Sequence, residues 1–183
     1  MSVRRILGVD PGLRTTGYGI IACDQSGLRL IEGGVVQPDP SLPLERRLAQ
    51  LHDAMREIVH ATQPECMVIE ELWTSYKNPT TAVLMAHARG VIALAAGASG
   101  VAMHQLAHSL VKRALVGNGS ARKAQVGEMV VRMLGLRAAP KPEDVSDALA
   151  LAIAFANVDA QRARFAQAGV LLPLRRTRAS RAR

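Results

Sequence analysis

At 183 residues the chain fits one ordinary globular domain, and its 49% hydrophobic content is enough for a sizeable core. Aromatic residues make up only 3%, so that core has to be aliphatic and rich in alanine. The formal charge of +8 suits a polyanionic partner, and it is concentrated at one end: Arg175 to Arg183 hold five arginines and no acid. Cys23 and Cys66 lie far apart without CxxC spacing, which excludes a paired-cysteine metal motif and reads as reduced thiols of a cytosolic protein. A strand-like run begins by residue 6 and leaves no room for a signal peptide. The most apolar stretch, Val91 to Met103, is interrupted by Gly97, Ser99 and Gly100 and is too short to cross a bilayer, so a soluble protein with no membrane partner is expected.

Ile6 to Val9 is a short apolar run that stops at Asp10, Pro11 and Gly12, residues that end a strand and turn the chain. Gly17 to Cys23 and Leu28 to Val36 follow as strands with short connections, which favours an antiparallel meander. Leu44, Leu48, Leu51, Met55, Ile58 and Val59 recur at helical spacing and predict a helix ended by Gln63 and Pro64. Cys66 to Ile69 is a buried strand running into Glu70. Asn78 to Gly97 is a helix capped by Asn78 and Pro79 and apolar on more than one face. Val101 to His104 makes a fifth strand, and Leu106 to Leu115 a short helix stopped by Gly117, Asn118 and Gly119. Ser120 is placed to cap the next helix, and Pro140 and Pro142 open a last one through Asp144 and Asp147 to about Arg164. Three meandering strands followed by alternating units predict an α/β fold: a mixed five-stranded sheet flanked by helices.

Carboxylates stand where strands end or a helix begins. Asp10 closes the first strand and Glu70 the fourth, while Asp144 and Asp147, three apart on a helix, face the same way. Each residue has a plainer role open to it: Asp10 in a turn, Glu70 and Glu71 at a solvated strand end, and Glu143, Asp144 and Asp147 complementing a helix dipole. In α/β sheets, however, sites form beyond strand ends, where loops and helix starts meet. An oxygen-only set without a His or Cys partner points to Mg²⁺ or Mn²⁺ rather than zinc, and four clustered carboxylates would repel without a cation.

Taken in order, four segments resemble the motifs of the RuvC Holliday-junction resolvases: ILGVDPG at 6–12 with TGYG at 16–19, VIEELW at 68–73, GNGSARK at 117–123 and DVSDALA at 144–150. Each motif is weak by itself, whereas four in family order from residue 6 to about 156 are specific. The resemblance implies a ribonuclease-H-like fold, a homodimer, and hydrolysis of four-way DNA junctions by two metal ions, Mg²⁺ or Mn²⁺, in a bacterial cytoplasm. By position, Asp10 would bridge both metals and Glu70, Asp144 and Asp147 would complete their shells. Family members vary at the first acid of the last motif, and some carry His there; this chain keeps Asp144. Alternation along the strand should turn Glu71 away from the site. The domain expected is 1–174, with 175–183 a disordered arginine-rich tail that adds nonspecific affinity for DNA.

Backbone N–H groups of Gly117, Asn118, Gly119 and Ser120 ahead of a helix suit a phosphate, with Arg122 alongside. Lys112 and Lys123 fall on family positions that contact the DNA backbone. Trp73 matches an aromatic position that helps open the junction by stacking on a base, and Tyr76 lies close by; that family position is often Phe. Spare apolar surface at Val83, Ala86, Val91 and Leu94 corresponds to the family's dimer interface. The RuvA and RuvB branch-migration proteins are partners by resemblance only. A noncatalytic junction-binding protein and another nuclease of the same fold stay open as alternatives. An actin-like or sugar-kinase phosphotransferase would need a second domain and a second phosphate turn that the chain lacks.

Overall fold

The computed structural model describes residues 3–71 and 79–167. Trp73, Tyr76, Asn78 and the arginine tail lie outside the described residues, and with them the expected cap of the second helix and the boundary at 174. Five strands form one sheet: β1 (Arg4–Asp10), β2 (Thr16–Asp24), β3 (Gly27–Val36), β4 (Cys66–Glu70) and β5 (Ala102–Leu106), in the order β3-β2-β1-β4-β5. β1, β2 and β3 pair antiparallel because their connections are short. β4 lies parallel to β1 and β5 parallel to β4, each reached through a helical crossover. The mixed five-stranded sheet expected from the sequence is therefore the one formed.

Strand alternation divides the interior into two layers. Ile6, Ile21, Cys66 and Val68 face one side, where α3 (His108–Val116), α4 (Lys123–Leu134) and α5 (Glu143–Gln167) pack. Leu7, Val9, Ile20, Met67 and Ile69 face the other, covered by α1 (Leu44–Thr62) and α2 (Pro79–Ala98). α5 is the central helix of the first layer, buried almost without interruption from Val145 to Ala156. Its alanines let it lie low on the sheet, and glycines opposite complete the fit. A Cβ at Gly8 would stand 1.9 Å from the carbonyl oxygen of Ala148, and one at Gly17 would stand 2.2 Å from that of Asp144. Both cysteines are free; Cys66 is buried, and burial pushes its thiol up to about 11.

Two helix starts differ from expectation. Leu106 still pairs with Glu70 in the sheet, so α3 begins only at His108. Ser120 does not cap α4: its N–H donates to Asn118 Oδ1 at 2.9 Å, which holds Gly117 to Ser120 in a turn of its own. The helix begins three residues later at Lys123, where Arg122 is the N-cap and its N–H donates to Gln125 Oε1 at 2.9 Å. The longest apolar segment also differs from the one read in the sequence. α2, at 20 residues with a mean hydropathy of 1.4 over its most apolar window, is long and apolar enough to cross a membrane by length and composition. It packs on α1 and β5, and its Arg89 is buried at 8% exposure.

Candidate active site

Strand register brings the first two carboxylates together. β1 and β4 run parallel with Val9 opposite Ile69, so Asp10 and Glu70 end adjacent strands side by side. Alternation turns them to the face on which Ile6 and Val68 meet α5. Asp144 and Asp147 come from the opening turns of α5, which the small residues of β1 and β2 let down onto that same end of the sheet. All four acids noted in the sequence thus share one neighbourhood, although 137 positions separate Asp10 from Asp147 in the chain.

The electrostatics of the cluster are those of carboxylates held close together. Asp10 is pushed up to about 7, first by burial and then by the negative charges of Asp147, Asp144 and Glu70; Lys123 opposes the shift. Lys123 Nζ stands 2.8 Å from Asp147 Oδ2 and 2.9 Å from Glu143 Oε2. Hydrogen bonds to these two acids hold its ammonium well above the usual lysine range. His108 Nδ1 stands 2.5 Å from Glu70 Oε1, and Arg89 Nη1 donates to the Glu70 carbonyl oxygen at 2.5 Å. Lys112 and Lys123 line a cavity of about 260 Å³ together with Glu70, His108 and Asp147.

A divalent cation fits this donor set. The ligands on offer are hard carboxylate oxygens, and a cation among them would offset the desolvation and the repulsion that together raise Asp10. Among the described residues, no three His, Cys, Asp or Glu side chains already converge as a closed metal shell. His108 engages Oε1 of Glu70 and Lys123 engages Oδ2 of Asp147, so an ion would be met by the other oxygen of each.

The remaining residues noted in the sequence spread around this centre. Gly117, Asn118 and Ser120 form an exposed turn with half-buried Gly119, and Arg122 is exposed where that turn enters α4. Glu71 is exposed one position beyond β4, and its N–H donates to the Leu106 carbonyl. Two residues of the site escaped the sequence reading. Arg89 carried a signal, since it is the one lysine, arginine or acid in the 20 residues of α2, and a lone charge in an apolar helix has to find a buried partner. His108 carried none, because its partner lies 38 positions away across the sheet end.

Comparison with known proteins accords with this arrangement. The sequence matches the family described as crossover junction endodeoxyribonuclease RuvC over residues 6–155. It is 41% identical over 148 residues to the crossover junction endodeoxyribonuclease RuvC of Rhodopirellula baltica, covering 81% of this chain and 83% of that one. With the Paramagnetospirillum magneticum RuvC the identity is 43% over 154 residues, covering 84% and 91%. The structure of Thermus thermophilus RuvC in complex with a Holliday junction substrate superposes with a TM-score of 0.82 at 33% identity, over 87% of this chain and 96% of that one. The sheet order, the placement of α5 and these matches lead to one assignment: the chain belongs to the RuvC family of crossover junction endodeoxyribonucleases.

Proposed function

We propose that this chain resolves four-way DNA junctions by paired, symmetric nicks, using a metal centre held by Asp10, Glu70, Asp144 and Asp147. The observation that carries the reading is the Asp10 carboxyl: half-buried at a strand end, close to three more carboxylates, and raised to about 7 by desolvation and then by their charges. Mg²⁺ or Mn²⁺, two ions per site, would supply activation of the attacking water and stabilisation of the leaving 3′-oxygen. Asp10, which feels the charges of Asp147, Asp144 and Glu70, would hold the metal together with them. Lys112 and Lys123, on the cavity wall, draw a phosphate toward the acids and offset their charge. In the turn from Gly117 to Ser120, whose end residues donate their N–H groups to Arg113 O and Asn118 Oδ1, the N–H groups of Asn118 and Gly119 meet the neighbouring phosphate beside the Arg122 guanidinium. Trp73 and Tyr76, within six residues of Glu70 in the sequence, supply rings for a base unstacked at the crossover.

A second copy of the chain completes the assembly. α2 leaves Val83 at 54% and Leu94 at 61% exposure beside a shallow apolar groove that also holds Leu48, Ala86, Gly90 and Val91. Burying that face against its symmetry mate sets two active sites on a two-fold junction and accounts for the apolar surplus of the helix. Leu94→Arg is expected to turn a dimer into a monomer in light scattering coupled to gel filtration, and to replace paired nicks with slow single nicks. A dimer that survives the substitution would move the interface elsewhere. The RuvA and RuvB proteins are the natural source of a presented junction in a bacterial cytoplasm.

The test is a synthetic four-way junction with end-labelled strands, incubated in EDTA, Mg²⁺ or Mn²⁺. Symmetric paired nicks that require metal are expected. Tight binding without cutting under either metal would favour a noncatalytic junction-binding protein, and cutting of unbranched duplex or RNA at equal rate would favour another nuclease of this fold.

A further inference from the structure

Glu70 is the one acid of the cluster held at both its main chain and its side chain by residues from elsewhere in the fold. Its carbonyl accepts from buried Arg89 of α2, and its Oε1 stands 2.5 Å from His108 Nδ1. An ionised carboxylate only accepts hydrogen bonds, so Nδ1 is the donor here whichever charge the ring carries. His108 is the first residue of α3, separated only by Ala107 from the end of β5, whose Leu106 pairs with Glu70. The imidazole therefore projects from a helix start anchored one residue beyond the strand that registers Glu70. It lines the same cavity as Glu70, Lys112, Lys123 and Asp147.

We propose that His108 is a positioning residue of this chain: its Nδ1–H fixes the Oε1 edge of Glu70 and thereby orients the Oε2 edge as the metal-facing oxygen. A glutamate carries three side-chain torsions, and one left unheld in a half-exposed strand end samples several of them before it can share an ion. Hydrogen bonds of this kind to a ligand's outer edge commonly change metal affinity about 10–100-fold when removed. The inference rests on the reading of Glu70 as a metal ligand, and the experiment separates the two.

Mn²⁺ binding to the full-length protein is measured by the electron paramagnetic resonance of the free ion, for the unaltered protein and for Glu70→Gln, His108→Ala and His108→Asn. Melting in EDTA serves as the check that each variant is folded. The expected result is weaker Mn²⁺ binding in Glu70→Gln, about tenfold weaker binding in His108→Ala, and recovery of most of that loss in His108→Asn, whose amide places a donor near the Nδ1 position. A loss in Glu70→Gln with none in His108→Ala would overturn the positioning role and leave Glu70 a ligand. No loss in either would remove both. An equal loss in His108→Ala and His108→Asn would show that the donated hydrogen bond is not what the ring contributes, and would also overturn it.

Discussion

Replacing Asp10 with asparagine is expected to abolish junction cutting while junction binding persists. The amide is nearly isosteric but supplies one neutral oxygen where the cluster needs a charged one. A lost metal ligand costs several kcal/mol of transition-state stabilisation, and about 4 kcal/mol corresponds to roughly a thousandfold in rate. Removing a negative charge beside a phosphate leaves affinity equal or higher, so a variant that no longer binds would instead make Asp10 a structural residue. The same substitution has a stability signature. Asp10 titrates near 7 in the folded protein against 3.8 for the unperturbed group. The folded state thus holds an extra proton between those values. Its contribution to stability is complete below about 3.8 and is lost as pH rises through 7, at up to about 1.4 kcal/mol per pH unit in that window. In EDTA the unaltered protein should lose melting temperature between pH 5 and pH 8 by more than Asp10→Asn does. At pH 8 the variant should melt higher. Mn²⁺ should restore the unaltered protein alone, by relieving the repulsion that the asparagine has already removed. Parallel melting profiles for the two proteins would show that the carboxylates are not crowded as described.

Gly8→Ala is expected to be among the most destabilising single-methyl additions in the chain, losing about 3 kcal/mol or more in urea unfolding or preventing folding at 37 °C. The obstacle is backbone: the new Cβ would meet the Ala148 carbonyl oxygen at 1.9 Å and the Ala152 N at 3.0 Å. Overpacking a core usually costs about 1–3 kcal/mol because side chains can shift, and here no side chain is available to do so. α5 would have to lift from the sheet, opening space around Leu149 and Ile153, which are fully buried. Against a total stability of about 5–15 kcal/mol that loss is decisive. Gly97→Ala is the matched control, since a Cβ there meets nothing within 4 Å, and alanine in a helix gains about 0.5–1 kcal/mol over glycine. Equal effects at the two positions would mean that the contact between β1 and α5 is loose. Gly17→Ala carries the same argument into the site. Its Cβ would press on Asp144 itself, at 2.2 Å from the carbonyl oxygen and 2.8 Å from the Asp144 Cβ. Cutting should therefore fall further than stability in a variant that still folds.

Much of the fold could be read locally. Short apolar runs bounded by turn residues located the five strands, helical periodicity located α1, and Pro and Gly marked the turns between them. Element ends were less legible where a side chain competes for the backbone. Asn118 takes the Ser120 N–H, so the cap passes to Arg122 and Gln125, and β5 runs on to Leu106 because Glu70 is there to pair with it. The four acids were legible as a pattern, each at the end of a strand or the start of a helix. The partners that hold two of them were not. His108 reaches Glu70 and Lys123 reaches Asp147 only once the sheet order sets β5 beside β4 and the α3, α4 and α5 layer on one face.

The sequence by itself determined the mixed sheet, because hydrophobic runs and turn chemistry act within a few residues of one another, and it marked the four carboxylates through their order in the family's motifs. Only the tertiary structure decided how those carboxylates meet and what restrains them. Parallel pairing of β1 with β4 sets Asp10 beside Glu70, and the bare backbone at Gly8 and Gly17 admits α5 close enough to add Asp144 and Asp147. The charge crowding that raises Asp10 is a sum over residues distant in the chain, and it arises only when the sheet order and the depth of one helix bring them together.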